Sequence, residues 1–500
     1  MAEIFDSLAT TLVDTFKEAT FVLPELIVLI AALIAPLVFY LTKNGKIVAA
    51  VSFALIAVSA LVTMLLMHTV TYGVAASMFE FDAFSSLMML LFMAVAFLSI
   101  MVSPCHVETT KHAGEYYALI CAIVAGMMFA ASAANLLAIF ISVEVVSISS
   151  YALVALKKND PRASEAAVKY LIIGAFSTAL TLFGMSMIFG VTGTLDIAEI
   201  SAIVPTMAAN WAFIVGCIGM IAGYGFKIAA VPFHSWAPDV YEGASTPVSG
   251  FLATASKKMG FAVLFKIFFA LFIIGSTGVF TLEFQYVFAI IAAITMTVGN
   301  VVAISQSNIK RMLAYSSVAQ AGYIMIALAV MSQYATTGSL FHMFTHVVMK
   351  GGAFIIVAAL ITAGLGEKIE DYKGLAKRAP LVAAAMMLFL FSLAGIPPLA
   401  GFTSKFVLFS GAIFVNGAVS MQWMWLALIA VLNSAISLYY YARVVKAMYI
   451  EKPACEDKVS VPKPFMVAIL LCVIGVIVLG VYPEYLIDLC SKAATALWLL

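Results

Sequence analysis

Apolar residues along this chain neither alternate nor trace a single helical stripe; they run in long blocks separated by short polar interruptions. A bilayer core about 30 Å thick needs about 20 apolar residues per helix, and by that ruler the blocks give roughly fourteen spans. Their expected extents are 21–41, 46–68, 79–103, 114–132, 134–156, 166–191, 207–231, 245–271, 284–304, 311–331, 337–361, 380–413, 423–446 and 463–482. Two blocks are interrupted. The seventh runs into GFKIAAVPFHSWAPDVYEGASTPVSG, where Pro232, Pro238, Gly243 and Pro247 break helix in a stretch too apolar for an ordinary loop. The twelfth does the same at LAGIPPLAGFTSKF, with Gly395, Pro397, Pro398 and Gly401.

Composition agrees with lipid as the main solvent: of 500 residues, 64% are hydrophobic and 10% charged, which no soluble surface could tolerate. A formal net charge of +1, with no long basic or acidic block, gives no reason to expect a nucleic-acid partner. The six cysteines, Cys105, Cys121, Cys217, Cys455, Cys472 and Cys490, are scattered and form no C-x-x-C pair, so they read as packing residues and not as ligands of zinc or an iron–sulfur cluster. Glu3, Asp6, Asp14, Lys17 and Glu18 precede the first block, the wrong charge for the basic start of a cleaved signal.

Orientation is expected from where Lys and Arg fall among the short loops, because positive charge stays on the cytoplasmic side. Lys43 and Lys46, Lys111, Lys157 with Lys158 and Arg162, Lys310 with Arg311, Lys368 to Arg378, and Arg443 to Lys463 follow spans one, three, five, nine, eleven and thirteen. Loops after even-numbered spans hold none. Both termini are therefore expected on the outer side.

Setting aside these and the terminal Lys17 and Lys492 leaves Lys169, Lys227, Lys257, Lys258, Lys266, Lys350 and Lys405, seven lysines inside expected spans. A lysine at a helix centre costs about 2.5–3.5 kcal/mol on insertion, so the set facing lipid would cost on the order of 20 kcal/mol. Lys169 and Lys266, nearest span ends, are expected to snorkel. The other five need a hydrated or paired interior. Glu144 sits near the middle of span five (ANLLAIFISVEVVSISSYALVAL), with Ser147 and Tyr151 on the same face, and reads as the best-buried carboxylate in the chain. In span eleven (SLFHMFTHVVMKGGAF), His342, His346 and Lys350 recur every four residues, one titratable stripe along an apolar helix. Histidine titrates near neutral pH. Desolvation lowers the pKa of a buried lysine towards that range and a nearby carboxylate raises it, so a Glu–Lys pair can act as an electrostatic switch.

Such groups could merely pin helices together, but neutral Ser, Thr or Asn would do that at lower cost, and amines and imidazoles spread over several spans are what a proton relay requires. Each broken helix carries a lysine, Lys227 and Lys405, the pattern expected of paired repeats with sites near the membrane midplane. The interval of five spans between them suggests inverted repeats over spans four to eight and nine to thirteen. The expected organisation is 1–113 for helices one to three, 114–271 for the first five-helix repeat, 284–446 for the second, and 463–500 for helix fourteen and a tail.

The run FHSWAPDVYEGASTP, from Phe233 to Pro247, resembles the signature of the antiporter-like proton-translocating subunits of respiratory complex I. Together with the segments SKK, GIPP and GFTSKF, the resemblance extends over spans four to thirteen. The chain looks most like subunit N of NADH:quinone oxidoreductase, with subunit M the nearest rival, since it ends too soon for the long lateral helix of subunit L. The His346-x-x-x-Lys350 pair is more like the other antiporter-like subunits and leaves open an archaeal relative, the N-type subunit of a complex that oxidises a reduced deazaflavin coenzyme and delivers electrons to methanophenazine.

What the resemblance implies is an all-α polytopic membrane protein in the energy-coupling plasma membrane of a prokaryote. It implies Glu144 as the carboxylate on helix five, Lys227 as its partner on broken helix seven, Lys257 as the central relay on helix eight, and Lys405 as the terminal lysine towards the outer exit. His346 and Lys350 complete the expected relay; Lys169, His234, Lys258 and His342 are secondary candidates. Lys257 and Lys258 point about 100° apart on a helix, so only one is expected to face a narrow axis, and Lys257 is favoured. The implied partners are other membrane-arm subunits, with flavin, iron–sulfur clusters and quinone or methanophenazine bound elsewhere in the complex. No nucleotide or haem motif, and no cofactor or metal ligand set, is legible in this chain. Two other classes remain as rivals: a subunit of a multi-subunit sodium/proton antiporter, and a membrane enzyme using His234 or His346. His234 could donate protons or brace the broken backbone; Asp82 and Glu242 are expected to pack.

Overall fold

A computed structural model describes residues 17–106, 112–157, 159–207, 209–274, 279–415, 417–453 and 457–499. The acidic residues before Lys17, together with Lys111, Lys158 and Cys455, lie outside the described residues. The chain is an all-α polytopic bundle. Among the described residues, twelve helices are long and apolar enough to cross a membrane: Leu23–Thr42, Gly45–Thr69, Ala83–Cys105, Ala113–Ser132, Leu136–Val154, Pro161–Thr192, Trp211–Ile228, Thr281–Ser305, Ile309–Val330, Gln333–Thr362, Met424–Tyr449 and Lys463–Val481.

The other two expected spans are not single regular helices. Residues 245–271 form helices Thr246–Phe251 and Lys257–Phe269, joined by a π-helical turn at Leu252–Ser256 and followed by another at Ala270–Ile274. Residues 380–413 form two half-helices, Pro380–Ala394 and Ala400–Ile413. Span seven is likewise broken, Trp211–Ile228 being followed by Trp236–Gly243. The two breaks share a local form: a residue in left-handed conformation, Ala229 or Gly395, then a cis peptide bond, Val231–Pro232 or Pro397–Pro398. Protein groups satisfy the exposed backbone, as they must at this depth. The Trp236 indole donates to the carbonyl of Phe226 at 3.0 Å, the Val231 N–H to Thr295 Oγ1 at 3.0 Å, and the Gly401 N–H to Ser392 Oγ at 3.0 Å.

Burial sorts the helices into layers. Span eight is buried on every side from Phe251 to Phe272, and Ile309–Val330 and Gln333–Thr362 are nearly so. Leu23–Thr42, Pro161–Thr192 and Lys463–Val481 instead present Leu33, Leu41, Ile172, Phe176, Leu470 and Val481 outward, apolar surface fit only for lipid or a partner. The expected C-terminal tail is a helix, Glu484–Leu499, packed through Cys490, Ala493, Ala494 and Leu497 against Gln333–Thr362 and Ala83–Val102. Its apolar stripe is too short for a membrane span, and a ruler set for spans passes over it.

The connections separate into two ends of the bundle. At one end a hairpin pairs Gly73–Ala75 with Phe79–Phe81, Phe79 bridges Ala133, and Asn135 bridges Asp196. At the other, Asn308 bridges Lys368. Asp82, expected to pack, N-caps Ala83–Val102: its carboxylate accepts the Ser85 N–H at 2.7 Å while Ser85 Oγ accepts the Asp82 N–H at 2.9 Å. Asp82→Ala removes this reciprocal pair and is expected to cost about 1 kcal/mol, read as a lower thermal midpoint of the purified assembly in detergent.

Candidate functional site

Glu144 lies on Leu136–Val154 beside Ile141, Val145 and Ile148, which are exposed, so it borders an open flank of the chain. It is half-buried, and the best-buried carboxylate is instead Glu25. Periodicity places a residue on a helix but does not say which face its neighbours cover. Glu144 Oε1 accepts from Thr178 Oγ1 at 2.8 Å and Ser147 Oγ at 3.4 Å, and the Ser147 hydroxyl in turn accepts from Lys227 Nζ at 2.5 Å. The pair is thus bridged by a serine. Lys227 is buried in the last turn of Trp211–Ile228, where the C-terminal end of the helix dipole favours a cation, and its ammonium stands 5.8 Å from the Tyr151 ring centre.

Helix seven meets helix eight at Gly260, whose place a methyl group would occupy only 3.2 Å from Lys227 Cβ and 2.8 Å from Ile228 Cγ2. Within one turn of Gly260 on the same α-helix, Lys257–Phe269, both Lys257 and Lys258 are buried. Both are buried because this helix has no lipid-facing side, but they meet different neighbours. Lys258 Nζ reaches His346 Nδ1 at 2.6 Å, whereas Lys257 Nζ finds no hydrogen-bond partner among the described residues and sits 5.7 Å from the Tyr241 ring centre. The direct link to the histidine stripe therefore belongs to Lys258, the residue that sequence reasoning placed second.

His346 and His342 lie one turn apart, ring centres separated by 6.2 Å. His342 is held from both sides, Nδ1 at 2.9 Å from Ser404 Oγ and Nε2 at 2.8 Å from Gln320 Oε1. Gln320 Nε2 donates to the Leu393 carbonyl at 3.4 Å, and Lys405 Nζ donates to the same carbonyl at 2.8 Å, to that of Ala394 at 3.2 Å and to Ser434 Oγ at 2.9 Å. The Leu393 and Ala394 carbonyls are the unpaired last acceptors of a half-helix. Both broken-helix lysines thus sit at the negative end of the first half-helix, Lys227 from within it and Lys405 from across the break. Lys405 also lines a cleft of about 430 Å³ among Ile396, Phe402, Phe406, Val431 and Leu438, several of them exposed. Gln320 and Ser404 complete this line and carry no ionisable group that would have singled them out in sequence.

Lys350 stands to one side, donating to the Leu313 carbonyl at 2.9 Å and to Ser316 Oγ at 2.6 Å, with Tyr441 on the far side of that serine. His234 is half-buried at the break of helix seven, its Nδ1 without a hydrogen-bond partner among the described residues. Lys169 is half-exposed and does more than snorkel, meeting Glu165 at 2.8 Å and Asp239 at 2.9 Å. Arg311 meets the same Asp239 at 2.8 Å and Glu242 at 2.7 Å, so these charges line a polar cleft of about 390 Å³. Lys266 does not snorkel at all; it is buried, 3.4 Å from Glu80 and within 3.3 Å of the Ala131 and Ser132 carbonyls.

Residues 133–437, the stretch holding all of these relay candidates, match the family described as NADH:quinone oxidoreductase/Mrp antiporter, TM. The chain is 43% identical to F(420)H(2) dehydrogenase subunit N of Methanosarcina mazei, over 86% of this chain and 87% of that one. It is 39% identical to NADH-quinone oxidoreductase subunit N of Moorella thermoacetica, over 85% and 88% of the two chains. In respiratory complex I from Thermus thermophilus with bound aureothin, a chain superposes with a TM-score of 0.78 at 26% identity, over 93% of this chain and 98% of that chain. A buried lysine–histidine line inside a shared fold, and identity sustained over most of both chains, lead to one conclusion: the chain belongs to the NADH:quinone oxidoreductase/Mrp antiporter family of membrane subunits.

Proposed function

We propose that this chain is the proton-translocating membrane subunit of a complex I-type oxidoreductase, of the subunit N kind, in which electron transfer in partner subunits drives protons along a buried axis. The observation that carries the reading is a row of buried groups, Lys258 bonded to His346, His342 one turn away with its ring centre 6.2 Å off and bonded to Ser404 and Gln320, and Lys405 sharing the Leu393 carbonyl with Gln320. Glu144, Ser147 and Lys227 form the input pair, Lys257 and Lys258 the central step, and Lys405 the outlet beside its cleft. Lys350 tunes the line electrostatically from the side.

Spans four to eight and nine to thirteen act as two inverted repeats of a fourteen-helix chain, a division supported by the matched breaks in helices seven and twelve. The loop lysines favour both termini on the outer side of a prokaryotic plasma membrane. Flavin and iron–sulfur clusters belong to partner subunits, as does the site for quinone or methanophenazine. Similarity to F(420)H(2) dehydrogenase subunit N favours the deazaflavin-oxidising complex as the assembly, and the His346–Lys350 spacing agrees with it. Moving one charge against 100 mV costs about 2.3 kcal/mol, which a relay of this kind meets only when coupled to redox energy; the subunit alone does not pump.

The test is redox-driven proton pumping by the reconstituted complex, with assembly checked for each variant. Lys227→Ala and Lys405→Ala are expected to lower protons moved per electron at least ~tenfold in the steps this chain contributes. An unchanged proton-to-electron ratio in both assembled variants would sink the reading and leave the chain a scaffold.

A further inference from the structure

Among the buried ionisable groups that the relay described above leaves unused is a cluster at the end of the bundle where the hairpin Gly73–Phe81 lies. Its innermost member is Glu25, in the first turn of Leu23–Thr42 and 0% exposed. Glu25 Oε1 accepts from Ser132 Oγ at 3.0 Å, while Oε2 has no hydrogen-bond partner among the described residues. The carbonyl of the same Ser132 accepts from Lys266 Nζ at 3.1 Å. The Lys266 side chain, 1% exposed, stands 3.4 Å from Glu80 Oε2, whose side chain is 13% exposed. Glu80 Oε1 accepts from the Tyr72 hydroxyl at 3.0 Å, and Tyr72 is 55% exposed. Three chain segments distant in sequence therefore place titratable groups in a line whose exposure rises stepwise from none to more than half.

The other acidic groups at this end are committed elsewhere. Asp82 accepts the Ser85 N–H, and Asp196 accepts the N–H groups of Ala198 and Glu199 at 2.9 and 3.1 Å. Glu25 and Glu80 remain as the carboxylates that bracket Lys266. A lysine placed only to cap Ala113–Ser132 would need its two carbonyls and nothing more. It would not need a fully buried carboxyl on one side with an oxygen left over, a costly arrangement unless that group changes charge in use.

We propose that Glu25, Lys266 and Glu80 form a second proton outlet on the face that the loop lysines assign to the outside, serving the first half of the chain as Lys405 serves the second. The proposal rests on the proton-translocating reading above. In the outlet step the Lys266 ammonium gives a proton to the Glu80 carboxylate, leaving a neutral amine and a carboxylic acid; Glu80 loses that proton to water at Tyr72. The Glu25 carboxylic acid, which shares Ser132 with Lys266 but does not touch it, then reprotonates the amine through an intervening water and is left as carboxylate for the next proton. Charge and atoms balance with no partner beyond water and the next proton from the interior.

Lys266→Arg separates the two roles of this residue, because guanidinium can bond carbonyls and pair with Glu80 but cannot release a proton. Pumping by the reconstituted complex with Lys266→Arg, or with Glu25→Gln, is expected to show a fall in protons per electron comparable with that of Lys405→Ala. Glu80→Gln, at the exposed end, gives the same reading should the buried variants fail to assemble. Assembled Lys266→Arg and Glu25→Gln complexes that pump as wild type while Lys405→Ala fails would overturn the outlet alone. All three pumping as wild type would overturn both the outlet and the relay.

Discussion

Lys258→Met and His346→Phe each cut redox-driven proton pumping at least tenfold, and the double variant pumps no worse than either single one. The expectation follows from a 2.6 Å contact between Lys258 Nζ and His346 Nδ1 that joins helix eight to the histidine stripe. Two residues sharing one step are not additive: once either is removed the step is gone, so the second change has nothing left to remove. Independent contributions would instead multiply, giving about a hundredfold loss, near 2.8 kcal/mol. Measuring the two singles and the double in the assembled complex at equal electron flux distinguishes these outcomes. A double variant a hundredfold slower would mean that His346 draws its proton from Lys257 or from elsewhere, and that the Lys258 contact is structural.

Sequence reasoning took Lys257 from the family resemblance and set Lys258 aside on geometry. Adjacent residues on a helix diverge by about 100°, a sound ground for choosing one only when the helix has a lipid side to avoid. Helix eight has none from Phe251 to Phe272, and no pattern in a uniformly apolar segment announces that. Apolar blocks locate spans well because lipid enforces their length, and Pro and Gly locate the breaks of helices seven and twelve because they punish regular backbone. What apolarity cannot do is rank spans by depth in the bundle. The same limit explains Lys266 and Glu25. Their positions near span ends suggested snorkelling for the lysine and nothing for the acid, whereas the hairpin Gly73–Phe81 brings Glu80 to Lys266, and Glu25 is buried against Ser132. Gln320 and Ser404 escaped for a different reason. They hold His342 with neutral groups, which the cost of membrane insertion does not single out as it does a buried lysine.

Gly401→Val prevents accumulation of the assembled complex, whereas Gly190→Ala leaves it intact. Gly401 lies in the first turn of the half-helix Ala400–Ile413, and a methyl group there would fall 1.7 Å from the Ser392 carbonyl oxygen, with Met349 Sδ at 2.9 Å behind it. Backbone cannot rotate aside as a side chain would, so the end of Pro380–Ala394 would have to move, at a cost of about 3 kcal/mol. That movement displaces the Leu393 and Ala394 carbonyls that hold Lys405, and breaks the bond from the Gly401 N–H to Ser392 Oγ. Gly190 has nothing within 4 Å of the corresponding position on an exposed helix face, so alanine there is expected to be neutral or to gain about 0.5–1 kcal/mol. Membrane levels of the complex, followed by its thermal midpoint in detergent, read both variants. Normal accumulation of Gly401→Val would mean that the two halves of helix twelve can separate without loss of fold, and that the Lys405 carbonyl cradle is adjustable rather than fixed by the break.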